Sequence, residues 1–246
     1  MRRFRKLLVL TAAVFAVIVG QANGSGAWGQ SPGEFAADSD EHLRVAGWAF
    51  AIWGPIYAGL LAFAVWQVLK RSDGPVTSVL GWPAAVALSG IGLWIIAAAY
   101  DAEPLTAVLI IGSALALILP MWVTAGRVRG ATGLHRWLGV WPLAALAGWL
   151  TVASPVNVVT VLSGNGDLPG PPLAWTLGAV AAVTACALAV SRRIASAAYA
   201  LPIAWGLVGV AAAEWSRNPV LAWTAALGVL ISLAAGSFGA RADSRS

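Results

Sequence analysis

Two short stretches of the chain carry side chains spaced for recognition. Residues 47–57 read Gly-Trp-Ala-Phe-Ala-Ile-Trp-Gly-Pro-Ile-Tyr. Phe50, Trp53 and Tyr57 stand at i, i+3 and i+7, so a helix places their three rings on one face. Gly54-Pro55 interrupts the hydrogen-bond ladder between them, because Pro55 brings no N–H. Rings beside such a kink can wall a flat apolar cavity, with the Tyr57 hydroxyl as its polar handle. A buried packing helix shows the same stripe. In the second stretch Trp149, Ala153 and Asn157 follow one another at intervals of four. Gly148 and Ala153 are small enough to let a neighbouring helix come close. Asn157 lies about 80° round the helix from Trp149. An amide among apolar neighbours needs a partner, which is either another helix or a ligand.

This chemistry is binding rather than bond making. No Asp, Glu, Lys, Arg or His falls in the middle of an apolar run, and Glu214 sits at the end of one with Arg217 at i+3. Proton- and ion-coupled transport normally uses an ionisable group at mid-depth. His42 and His135 lie in connecting segments, which argues against a pair of haem ligands inside the apolar runs. There is no nucleophile–base pair and no phosphate-cradling glycine loop. The expectation is a protein that is not an enzyme, with no catalytic and no metal-binding residues. Cys186 is the one cysteine and lies in an apolar run. It leaves no intrachain disulfide and no cysteine-based metal cluster.

The elements that must hold these residues follow from composition. The chain has 246 residues, 59% apolar and 10% charged. Soluble domains run at roughly 45–50% apolar and about 25% charged. The class is therefore an all-α polytopic membrane protein, because lipid accepts this much apolar surface and demands helices. The net charge of +5 sits in short connections, where it sets topology rather than binding nucleic acid. Eight apolar runs are long enough to span: 6–21, 45–69, 78–99, 104–125, 137–162, 172–191, 196–214 and 219–239. The first follows a basic start, the layout of a signal peptide, but Gln21-Ala22-Asn23 is a poor cleavage site and a retained helix is expected. All basic residues except Arg44 and Arg217 fall on one side of this scheme. Glu34, Asp38, Asp40, Glu41, Asp101, Glu103 and Asp167 fall on the other. The expectation is a multi-pass protein of the cell (plasma or inner) membrane with both termini cytoplasmic. Segment 22–44 is the one long outer loop. Trp82-Pro83 and Trp141-Pro142 are expected to open helices at the cytoplasmic side.

Tryptophan is abundant, with 14 in the chain. Trp66, Trp82, Trp122, Trp137, Trp141, Trp175, Trp215 and Trp223 fall near span ends, where indoles anchor helices at headgroup level. Trp53, Trp149 and Trp205 fall deeper, as packing residues or as walls of a ligand pocket.

At these residues the sequence resembles the tryptophan-rich sensory protein family, the TspO/peripheral benzodiazepine receptor group. Trp48, Phe50, Trp53 and Tyr57 resemble the aromatic cluster that opens the family's second helix. Trp149, Ala153 and Asn157 resemble the motif of its fifth, and Trp94 corresponds to the tryptophan of its third. The family's double proline is absent, and its third-helix asparagine is Gly90 here, beside Ser89. The resemblance is to a longer branch with extra C-terminal helices. It covers roughly residues 5–163, which divides the chain into a TspO-like five-helix bundle, 1–163, and three additional transmembrane helices, 164–246. It implies a sensory or regulatory protein whose bundle binds a flat hydrophobic ligand such as a porphyrin. Trp53, Tyr57, Trp94, Trp149 and Asn157 would line the pocket, with Trp48 and Phe50 at its outer rim. No cofactor is implied beyond porphyrin as ligand. The partners implied are membrane lipid, the hydrophobic small molecule and a second copy in a homodimer. A facilitator or transporter of a small neutral or apolar solute is the alternative, with Pro55 and Pro155 as helix interruptions.

Overall fold

The computed structural model describes residues 2–38, 43–69, 74–164 and 171–243. His42 and the loop charges Asp40, Glu41, Lys70, Arg71, Asp167 and Arg245 lie outside the described residues. All regular structure among the described residues is helical. The elements are α1 (Arg2–Gly24), α2 (Pro32–Asp38), a 3₁₀ turn (Gly47–Ile52), α3 (Trp53–Leu69), α4 (Pro75–Ala99), α5 (Glu103–Val123), α6 (Ala125–Arg129), a π-helical turn (His135–Val140), α7 (Trp141–Gly164), α8 (Pro172–Ile194), α9 (Ala197–Glu214) and α10 (Pro219–Asp243). Among the described residues, eight helices are long and apolar enough to cross a membrane. The protein is an all-α, multi-pass membrane protein.

Lipid hides no backbone polar group, so each crossing must satisfy its own N–H and C=O groups as a helix. The bundle then closes through small residues. On α4, a Cβ at Gly92 would meet the Phe15 ring of α1, and one at Gly81 would meet the Arg5 side chain. On α7, a Cβ at Gly148 would collide with the Tyr199 carbonyl of α9. One turn on, Thr151 Oγ1 and Tyr199 Oη share a hydrogen bond of 2.7 Å, with both side chains buried. Helices α4, α7 and α9 are the most buried of the eight. Helix α1 is part of the bundle, with Val9, Ala12, Ala13 and Ala16 buried.

Several local expectations change in the structure. Segment 22–44 is not simply a loop, since it contains α2. The sequence Ser31-Pro32-Gly33-Glu34 explains why. Ser31 N donates to Glu34 Oε2 (2.6 Å) and Glu34 N donates to Ser31 Oγ (3.2 Å), a reciprocal capping box with proline at the first helical position. Trp141-Pro142 opens α7, but Pro83 lies two turns inside α4, because Gly74-Pro75 had already started that helix. Pro155 lies inside α7, which runs through it as one helix, whereas Pro55 follows closely on the 3₁₀ turn. Trp66 is buried, edge-on to His135 at 5.0 Å between centroids, rather than at a lipid-facing belt. Trp82, Trp122, Trp137, Trp175, Trp215 and Trp223 are exposed as interface anchors would be.

Candidate functional site

The 3₁₀ turn delivers the aromatic cluster. Pro55, in the first turn of α3, brings no N–H to bond the Ala51 carbonyl, so the α-helical ladder does not run back into the 3₁₀ turn. The turn is held from outside, by α9. Arg44 N donates to Glu214 Oε1 (3.0 Å), Ala46 N to the Gly209 carbonyl (3.1 Å), and Trp205 Nε1 to the Ala49 carbonyl (2.8 Å). Gly209 permits this approach, since a Cβ there would stand 2.8 Å from the Ala49 Cβ.

So held, Phe50 and Trp53 both turn edge-on to Trp149 of α7, at 6.0 and 6.2 Å between centroids. With Trp94 of α4, Ile110 of α5, and Ala153 and Asn157 of α7, they line an apolar cavity. Pro32 and Phe35 of α2 close it from above. Phe35 is buried and meets Trp94 edge-on at 6.1 Å. The cavity then has room of about 30 Å³, enough for a water molecule or two and not for a porphyrin. The segment leading into α2 is stitched over the bundle end. Asn23 Nδ2 donates to the Trp28 and Gln30 carbonyls (2.8 and 3.0 Å), and Gln30 Nε2 donates to the Ala98 carbonyl (3.1 Å) and to Asp101 Oδ1.

The polar atoms on this apolar wall stand out. Trp94 is 7% exposed and Asn157 4%, yet Trp94 Nε1 and Asn157 Nδ2 are buried with no hydrogen-bond partner among the described residues. Asn157 Oδ1 lies 3.2 Å from Thr106 Oγ1, which is also 2.6 Å from the Glu103 carbonyl. A hydroxyl has one proton, and the shorter contact takes it. Turning the amide over would let Nδ2 donate to Thr106, leaving Oδ1 unserved instead. Either way at least one amide atom lacks a partner, at a usual cost of about 1–3 kcal/mol.

Of the residues singled out from the sequence, Phe50, Trp53, Trp94, Trp149 and Asn157 come together here. Tyr57 does not line this cavity. It stacks on the far side of Trp53, at 5.0 Å and 28°. Trp48 lies outside the cavity as well. It is half-exposed and packs edge-on against Trp205, at 5.1 Å between centroids. Trp205 itself is a partly exposed clamp on the 3₁₀ turn rather than a pocket wall. Gly90 lies where the resembling family has asparagine, and a Cβ there would strike the Ser113 hydroxyl of α5. Phe35 and Thr106 were missed by sequence reasoning. A phenylalanine inside an acidic loop was the available signal for the first.

Two separated motifs meet at one tryptophan-walled cavity inside an all-helical membrane bundle. The model of the TSPO-like protein family matches residues 6–238, and the chain belongs to that family. The match runs through the last three spans, beyond the point where the sequence motifs stop. No curated protein and no solved structure matches the chain.

Proposed function

We propose that the protein is a membrane sensory or regulatory protein that binds, rather than transforms, a flat hydrophobic ligand carrying a polar edge. The ligand is porphyrin-like in size and shape, and it occupies the cavity between Trp53, Trp94 and Trp149. The unserved polar atoms of Trp94 and Asn157 carry this reading. A buried polar group without a partner lowers stability, and a ligand's polar edge removes that cost. The aromatic walls supply the apolar share, about 25 cal/mol per Å² before the cost of association. Binding needs α2 to lift, because the capped cavity is far smaller than the ligand. The basic connections support an orientation with both termini cytoplasmic in the cell membrane. Lipid and the small molecule are the partners, and a homodimer is the proposed assembly.

The test is a titration of the purified protein with protoporphyrin IX, read from the porphyrin's own absorbance. Wild type should saturate, and Trp149→Ala and Ala153→Leu should each lose the component of the saturable change that belongs to the inner cavity. Unaltered binding in both variants would overturn the assigned cavity. Saturable uptake of the porphyrin into proteoliposomes would instead favour the facilitator reading.

A further inference from the structure

Tyr57 faces a second space. A crevice of about 370 Å³ opens between the last turn of α1, the start of α2, the 3₁₀ turn and the start of α3. Its size falls within the roughly 300–1,000 Å³ usual for small-molecule sites. Pro32, Phe50 and Trp53 form the partition, since they line both this crevice and the inner cavity. With α2 in place the crevice has room of about 370 Å³, against about 30 Å³ in the inner cavity.

Its walls suit one kind of occupant. The stacked Trp53–Tyr57 pair supplies a broad aromatic surface. Five of the other lining residues are glycines. A Cβ built on Gly24, Gly47 or Gly54 meets nothing within 4 Å, so side chains would fit there and are missing. Gly20 is different, because a Cβ there would strike the Tyr57 hydroxyl. Tyr57 is only 7% exposed, and its hydroxyl sits close against Gly20. The exposed Gln21 amide lies at the rim. An apolar floor with one deep hydroxyl and a polar rim matches a planar aromatic molecule with oxygen or nitrogen at its edge.

We infer that this crevice is a second ligand compartment, separate from the inner cavity, in which a flat aromatic amphiphile lies against Trp53 and Tyr57 and hydrogen-bonds the Tyr57 hydroxyl. It can be filled with α2 closed. Its occupancy does not depend on the inner cavity being filled.

The experiment uses cysteine protection in the full-length protein, on a Cys186→Ser background. Gly54→Cys and Gly47→Cys each report the crevice, and Ala153→Cys reports the inner cavity. Maleimide labelling is followed with and without protoporphyrin IX. Slowed labelling at Gly54→Cys or Gly47→Cys, with a half-protecting concentration unchanged when Ala153→Leu fills the inner cavity, supports the second compartment. Tyr57→Phe should raise that concentration about fivefold, the equivalent of one neutral hydrogen bond. No protection at either glycine position overturns the inference, and so does protection that Ala153→Leu abolishes. An unaltered Tyr57→Phe result removes the hydroxyl from it. Failure of the inner-cavity reading shows separately, as no protection at Ala153→Cys while Gly54→Cys is protected.

Discussion

Replacing Phe35 with alanine should tighten ligand binding, the reverse of what removing a wall residue does. Phe35 is 3% exposed and wedges against Trp94 at the mouth of the inner cavity. Burying such a ring stabilises the closed position of α2 by about 1.5–3 kcal/mol. The edge-on contact with Trp94 adds about 0.5–1.5 kcal/mol. A ligand that needs α2 lifted binds with an apparent Kd equal to its intrinsic Kd divided by the open fraction. Weakening the closed state by about 2 kcal/mol raises that fraction up to about thirtyfold, at 1.4 kcal/mol per factor of ten. Equilibrium titration of wild type and Phe35→Ala with protoporphyrin IX reads the effect, and stopped-flow mixing should show faster association. Unchanged or weaker affinity, with the variant folded by thermal melting, would refute the plug and return Phe35 to being part of the wall.

Two further outcomes follow from the same geometry. The Ser31 backbone N–H and hydroxyl hold the Glu34 carboxyl below the usual glutamate range. A carboxyl depressed in the folded state stabilises α2 above its ordinary value of about 4.3, and that support disappears as pH falls through the lowered folded value. Ligand association should therefore speed up below about pH 4 in wild type, and Glu34→Ala should be fast and flat across that range; a pH step that persists in the variant assigns the effect elsewhere. Gly148→Ala should lower the melting temperature in detergent, because its Cβ would collide with the Tyr199 backbone of α9, an overpacking cost of about 1–3 kcal/mol; an unchanged melt would mean that α7 and α9 can separate freely at that level.

Class, span count and much of the site were legible in the residue order. Bilayer thickness and the backbone's need for internal hydrogen bonds turn each long apolar run into a helix, whatever its neighbours are. Phe50, Trp53, Trp149 and Asn157 were legible because helical spacing puts ring and amide on definite faces. The Ser31–Glu34 capping box was also written locally, although the run containing it looked like a plain loop. Trp48, Tyr57 and Trp205 were not separable from the pocket by spacing. A 3₁₀ turn advances its side chains differently from an α-helix, and α9 pulls that turn outward through Gly209 and Trp205.

By itself, then, the sequence determined an eight-span helical membrane protein with aromatic and amide side chains facing inward, because solvent and helical period act on each segment alone. Only the tertiary structure decided that Trp53 divides two spaces, that Phe35 covers one of them, and that the middle residue of the motif, Ala153, lines a cavity while Gly148 does not. Those outcomes depend on which helix lies opposite, and contacts such as Gly148 on Tyr199 join residues 51 positions apart, a separation that no local pattern encodes.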